Sequence, residues 1–121
     1  MPSILLVEDT AETSEMIKLF LRTAGAIDLA TDAQSALDMA AVKQYDLILM
    51  DINLGRGMTG LDVTRILREK DEYRTIPIIA LTAYAMKGDR EMTLEAGCSE
   101  YLSKPFSKRD LLDLIGQFMP A

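Results

Sequence analysis

The sequence contains no histidine, a single cysteine and no long apolar run among its 121 residues. The lack of histidine excludes histidine-based general acid–base catalysis and most zinc sites. Any bound metal must therefore use oxygen ligands, which favours magnesium, calcium or manganese. Cys98 alone cannot form an internal disulfide, which suits a reducing compartment, and we interpret it as a small buried residue.

The apolar runs are far shorter than the roughly 20 residues that a membrane-spanning helix requires. Glu8 and Asp9 follow the N-terminus too closely for a secretory signal, so we expect a cytoplasmic protein without membrane contact. The formal net charge of −6 and the absence of a dense basic cluster argue against nucleic-acid binding. Composition and length fit one compact domain over residues 1–121, with no linker, repeat or attached output domain expected.

Five short apolar runs alternate with segments of helical periodicity. The predicted strands are Ser3–Val7, Ile27–Ala30, Leu47–Met50, Ile78–Leu81 and Ser99–Leu102. Alternation through short links indicates right-handed βαβ units and a parallel sheet. Five strands and five helices predict a flavodoxin-like doubly wound (βα)5 sandwich with strand order 2-1-3-4-5. The fourth helix is expected to start late, because Gly88 in its first turn costs roughly 1 kcal/mol relative to alanine.

Polar residues follow the predicted strands at their carboxyl ends, where ligands bind in open α/β sheets. Three carboxylates brought into one pocket repel each other by roughly 4 kcal/mol per pair at ~4 Å, so a divalent cation or a lysine must neutralise them. Magnesium suits such a set, and a strand-end aspartate can act as a carboxylate nucleophile. The residues at these ends are Glu8 and Asp9, Asp51, Thr82, and Lys104 with Pro105.

Taken singly, Thr82, Tyr101 and Lys104 are better explained as ordinary strand-end or surface residues. Four motifs in order nevertheless resemble the receiver domain of bacterial two-component response regulators, and the resemblance covers essentially the whole chain. The run from Tyr84 to Arg90 further resembles stand-alone cell-cycle receivers and the receivers of hybrid kinases. The four motifs are Ile4-Leu5-Leu6-Val7-Glu8-Asp9, Leu47-Ile48-Leu49-Met50-Asp51, Ala80-Leu81-Thr82-Ala83 and Tyr101-Leu102-Ser103-Lys104-Pro105.

The resemblance implies that Asp51 is phosphorylated beside a bound Mg²⁺. It implies that the side chains of Asp9 and Asp51 bind the ion directly. Glu8 would reach it mostly through water, and Asn53 would contribute its backbone carbonyl.

It further implies a switch and a counter-charge. Thr82 would bond the phosphoryl group, and Tyr101 would turn toward the space that the Thr82 loop vacates. Lys104 would hold a phosphoryl oxygen, and the Lys104–Pro105 peptide bond would be cis.

The implied function is that of a signalling protein rather than a turnover enzyme, although it catalyses its own phosphorylation and dephosphorylation. A histidine kinase or histidine phosphotransfer protein would supply the phosphohistidine, because this chain has no histidine. Output would be phosphorylation-dependent protein binding through the face of helix four, strand five and helix five. We expect a monomer or a weak homodimer.

The loop after Asp51 departs from the usual receiver pattern. It lacks the usual proline, carries two extra glycines in the segment 55–60 and is one residue longer, so we expect it to be looser than usual. Two alternatives stay open at this point. A metal-dependent phosphohydrolase-type domain would typically need a second aspartate at the position of Asn53, whereas a non-phosphorylated interaction module would not need the complete set of chemical residues.

Overall fold

The computed structural model describes residues 2–55, 57–83 and 89–119. Five parallel strands form one sheet in the order β2-β1-β3-β4-β5, with five helices and one 3-10 turn in the described parts of the chain. This confirms the predicted flavodoxin-like (βα)5 fold. The elements are β1 (Ser3–Val7), α1 (Ala11–Phe20), β2 (Ala26–Ala30), α2 (Ala33–Val42), β3 (Leu47–Asp51), α3 (Gly60–Arg68), the 3-10 turn (Asp71–Tyr73), β4 (Ile78–Thr82), α4 (Asp89–Ala96), β5 (Glu100–Ser103) and α5 (Lys108–Phe118).

The central strands are apolar at consecutive positions because helices cover both faces of the sheet. Successive side chains of a strand point to opposite faces, so Leu5 and Val7 of β1 belong to one core cluster, whereas Ile4 and Leu6 belong to the other. The first cluster packs under α2, α3 and α4, and the second packs under α1 and α5. The carboxyl ends of β1, β3, β4 and β5 consequently meet along one edge.

The strand boundaries move the chemically important residues onto the sheet itself. β3 ends at Asp51 and β4 ends at Thr82, one residue later than predicted in each case, while β5 begins and ends one residue later. Parallel pairing extends through these ends, since Asp51 pairs with Leu81 and Thr82 pairs with Ser103. The hydrogen bonds between the parallel strands therefore fix the backbone of Asp51 and Thr82.

The predicted late start of the fourth helix concerns residues 85–88, which lie outside the described residues. The described part of α4 starts at Asp89, and Gly97 follows the helix with a left-handed φ of 116°. Within the described ranges, no helix combines the length and the apolar character needed to cross a membrane.

Candidate functional site

Three carboxylates meet where β1 and β3 end side by side. One carboxylate oxygen each from Glu8, Asp9 and Asp51 lies within 4.8 Å of the others. Glu8 and Asp51 are buried, with 1% and 3% of their surface exposed, while Asp9 faces solvent. The parallel register that pairs Val7 with Met50 brings these strand ends together.

Lys104 supplies a positive charge to this cluster from the end of β5. Its Nζ donates to Oε1 of Glu8 at 2.8 Å and lies 3.7 Å from Oδ2 of Asp51. Its backbone N–H donates to the carbonyl of Thr82 at 2.7 Å, and the peptide bond between Lys104 and Pro105 is cis. Segments far apart in sequence therefore place one ammonium group against two buried carboxylates.

Backbone amides hold the carboxylates from the other side. The N–H of Asn53 donates to Oδ1 of Asp51 at 3.1 Å, and the N–H of Thr10 donates to Oε2 of Glu8 at 3.2 Å. The Thr10 hydroxyl also donates to Oδ1 of Asp9 at 3.4 Å. Thr10 is a site residue that the sequence did not single out. Its only sequence signal is a hydroxyl residue directly before a helix, and this position normally indicates a cap.

The two buried carboxyl groups differ strongly in acidity. Burial raises the pKa of Asp51, the neighbouring Glu8 raises it further, and the value reaches about 7 although Lys104 acts in the opposite direction. Burial also acts to raise the pKa of Glu8, but hydrogen bonds with Asp51 and Lys104 outweigh it and hold that pKa below its usual value. Without a further cation, Glu8 therefore carries the negative charge, and Asp51 takes up a proton as the pH falls through about 7.

The cluster opens into a cleft of about 350 Å³ lined by Asp9, Thr10, Asp51, Asn53, Gly55, Ala83 and Lys104. The atoms grouped here that could bind a metal are the carboxylate oxygens of Glu8, Asp9 and Asp51, and such oxygens are ligands of a hard divalent cation. Three acids with one lysine also leave uncompensated negative charge. These residues therefore fit a magnesium ion, whereas a soft metal would require thiolate or imidazole ligands.

The two predicted switch residues lie further along the same edge. Thr82 is buried at the end of β4, one strand away from Asp51. Tyr101 is half-buried in the outermost strand, β5, where its backbone N–H donates to the Glu100 side chain at 3.0 Å. The structure thus brings Glu8, Asp51 and Lys104 together with Asp9 next to them, and it places Thr82 at the end of the neighbouring strand and Tyr101 within the outermost strand.

The chain matches the family described as the response regulator receiver domain over residues 4–116. It is 39% identical over 118 residues to the polar-differentiation response regulator DivK of Brucella anthropi, which covers 97% of this chain and 95% of DivK. It is also similar to the chemotaxis protein CheY4 of Vibrio cholerae, with 27% identity, a TM-score of 0.91 and coverage of 98% of this chain and 99% of the other.

A third relative is the receiver domain of the sensor histidine kinase PA1611 from Pseudomonas aeruginosa. The two chains are 38% identical, and their structures share a TM-score of 0.89 over 99% of this chain and 98% of the relative. That structure is described as holding a magnesium ion in its active site cleft. The comparisons confirm the resemblance drawn from the four motifs and do not favour the phosphohydrolase alternative. The chain belongs to the receiver-domain family of two-component response regulators, a family of phosphorelay signalling.

Proposed function

We propose that Asp51 accepts a phosphoryl group from a phosphohistidine presented by a histidine kinase or a histidine phosphotransfer protein. The observation that carries this proposal is the joint position of Asp51, two further acids and Lys104 at one cleft. A carboxylate with an adjacent cation and an open approach is the arrangement that an aspartyl phosphate requires.

Mg²⁺ would be held by the carboxylates of Asp9 and Asp51, by Glu8 through water and by the backbone carbonyl of Asn53. The cluster geometry and the magnesium ion described for the PA1611 receiver domain support this ligand set. When bound, the ion neutralises charge on the phosphoryl oxygens.

The transfer is a single displacement at phosphorus. An Oδ atom of deprotonated Asp51 attacks, the P–N bond of the donor breaks, and its electron pair returns to the histidine nitrogen, which takes up a proton. Lys104 already donates a hydrogen bond within the cleft, and its ammonium group stabilises the charge on the transferred group. Thr82 would donate to another phosphoryl oxygen. The partner contributes the histidine and this domain contributes the electrostatics.

Phosphorylation adds about −1.5 to −2 charge at pH 7, which shifts a two-state equilibrium through Thr82 and Tyr101. The readout would be binding of a downstream protein to the face of α4, β5 and α5. The exposed apolar side chains of Met92 and Leu94, at 56% and 39%, support α4 as part of a docking surface. Exposed apolar residues on such a face are typical of protein docking sites.

The remaining expectations follow from this role. We propose a cytoplasmic signalling protein made of a single receiver domain, monomeric or weakly dimeric, that catalyses its own phosphorylation and dephosphorylation without turning over an external substrate. The near-complete coverage of DivK supports the single-domain organisation. The buried free thiol of Cys98 is compatible with a reducing compartment.

Acetyl phosphate with Mg²⁺ tests the proposed chemistry directly, with intact-mass spectrometry as the readout. The wild-type protein is expected to gain one phosphoryl group per chain, whereas Asp51→Asn gains none, because an amide is a poor nucleophile. Asp46→Asn is the matched control, since the Asp46 carboxylate accepts a hydrogen bond from the backbone N–H of Ser3, away from the cleft. Steady phosphate release without a covalent adduct would instead indicate a hydrolase, and no response would indicate an interaction module.

Mg²⁺ affinity is expected to weaken by about tenfold between about pH 8 and about pH 6, because a proton competes for Asp51. The sign follows from the raised pKa of about 7: below it the carboxyl holds a proton that the ion must displace, and above it the site is already charged. Isothermal titration calorimetry at several pH values measures this slope. An affinity that stays constant over this range would contradict the assigned protonation of Asp51.

A further inference from the structure

Gly60, the first residue of α3, lies directly against the backbone of Asp51. A Cβ atom at this position would lie 2.1 Å from the carbonyl oxygen of Asp51 and 2.9 Å from both its carbonyl carbon and Cγ of Met50. Such distances are shorter than real Cβ contacts, so any side chain would displace one partner. The φ angle of Gly60 is not positive. Glycine is therefore required here for space rather than for backbone conformation.

Hydrogen bonds order the first turn of α3 and hold it against the end of β3. The N–H of Gly60 donates to the carbonyl of Ile52 at 2.9 Å, and its carbonyl accepts from the buried hydroxyl of Thr64 at 2.9 Å. The preceding Thr59 forms a capping box with Asp62. Of these bonds, the one to Ile52 joins the helix start to the residue after β3, so a Cβ at Gly60 would force α3 and the Asp51 peptide apart across this contact.

This contact bears on the acceptor because the local turn also aims its carboxylate. The N–H of Asn53 reaches Oδ1 of Asp51 only while the backbone after Asp51 keeps its present path. We infer that Gly60 is a positioning residue for phosphoryl transfer. Because it has no side chain, its Cα can pack directly against the Asp51 peptide, and its N–H bonds the Ile52 carbonyl and so joins the two ends of loop 53–59. This inference rests on the proposed function, since it concerns the geometry of the same acceptor.

The hydrogen bond between Gly60 and Ile52 joins the two ends of loop 53–59, so a change at a glycine within the loop does not have to move Asp51. Gly57 has a φ of 91°, and no atom lies within 4 Å of the position that a Cβ would occupy there, so its requirement for glycine is conformational and local. Alanine at Gly57 strains the loop without contacting Asp51, whereas the Cβ of alanine at Gly60 would overlap the carbonyl group of Asp51. The two substitutions are chemically identical and differ only in the atoms that the new Cβ contacts.

The experiment compares Gly60→Ala with Gly57→Ala and with Gly116→Ala, whose Cβ meets open space on α5. The rate of Asp51 phosphorylation by acetyl phosphate and the Kd for Mg²⁺ are measured at a temperature where each variant is folded by circular dichroism. Gly60→Ala is expected to slow phosphorylation by about a hundredfold, the cost of a misplacement of about 1 Å, and to weaken Mg²⁺ binding by about tenfold. Both controls are expected to keep wild-type values.

A merely structural role would lower the melting temperature of Gly60→Ala but leave the Mg²⁺ Kd of its folded fraction at the wild-type value, and that result would overturn the inference. Thr64→Val covers the case in which Gly60→Ala fails to fold, because it removes the hydroxyl hydrogen bond that helps to hold Gly60 in the first turn of α3 without adding a clash. It is expected to slow phosphorylation several-fold, and a wild-type rate would count against the inference. A wild-type chain that gains no phosphate would refute the proposed function instead, while the Mg²⁺ comparison would still show whether Gly60 positions the Asp51 carboxylate.

Discussion

Replacing Lys104 with methionine is expected to slow phosphorylation of Asp51 by about a hundredfold to a thousandfold, the usual cost of removing one preorganised charge donor from a reaction centre. The ammonium group lies 3.7 Å from Oδ2 of Asp51, and within the described residues no other cation pairs with this carboxylate. Methionine keeps much of the side-chain length and apolar stem, so the substitution removes mainly the charge. Single-turnover kinetics with acetyl phosphate measure the change.

The same substitution is expected to tighten Mg²⁺ binding by about tenfold at about pH 8, because Lys104 repels a second cation at close range. Opposite effects on the ion and on the reaction separate an electrostatic role from simple loss of structure, which would weaken both. Lys70→Met is the matched control, since Lys70 lies between α3 and β4 at the other edge of the sheet. Loss of Mg²⁺ binding in Lys104→Met would contradict this assignment.

Arg68→Met is expected to lower the free energy of unfolding by about 3 kcal/mol, because hydrogen bonds from a charged donor are worth about 1.5–3 kcal/mol each and do not add fully. The guanidinium donates from Nε to the carbonyl of Gly97 at 2.8 Å and from Nη1 to the carbonyls of Tyr73 and Ile76 at 2.6 Å each. Nη2 additionally donates to the Ser99 hydroxyl at 3.3 Å. Urea denaturation measures the loss.

Arg65→Met on the same helix provides the control for Arg68. Arg65 is exposed, and its guanidinium pairs with the Asp62 carboxylate three residues earlier, at 3.2 Å. Such surface pairs contribute about 0–1 kcal/mol, so the control is expected to change stability little. Equal losses in the two variants would show that water replaces the bonds of Arg68. The comparison also bears on output, because Gly97 follows directly on α4 of the proposed docking face.

The sequence was sufficient to predict the fold because its central strands are continuous apolar runs. Their length and their spacing between helical segments leave few topologies, and the acids after β1 and β3 then fall at one edge of any such sheet. The family motifs added the roles proposed for Thr82, Tyr101 and Lys104, which single-residue reasoning treats as ordinary strand-end or surface residues.

The contacts that position the site could not be predicted in this way. The close packing of Gly60 against Asp51 depends on the distance between a helix start and a strand end, and no pattern in the sequence encodes that distance. The Arg68 hydrogen bonds likewise join groups whose positions follow only from tertiary packing. The predicted looseness of loop 55–60 stays a prediction, since Arg56 lies outside the described residues.

Mapping the modified side chain tests the central claim most directly. The protein is treated with acetyl phosphate and Mg²⁺, the acyl phosphate is reduced with borohydride to a stable homoserine, and the peptides are sequenced by mass spectrometry. We expect homoserine at Asp51 alone, at a level that falls when Mg²⁺ is chelated. Homoserine at Asp9 or at another carboxylate, with Asp51 unchanged, would contradict the account.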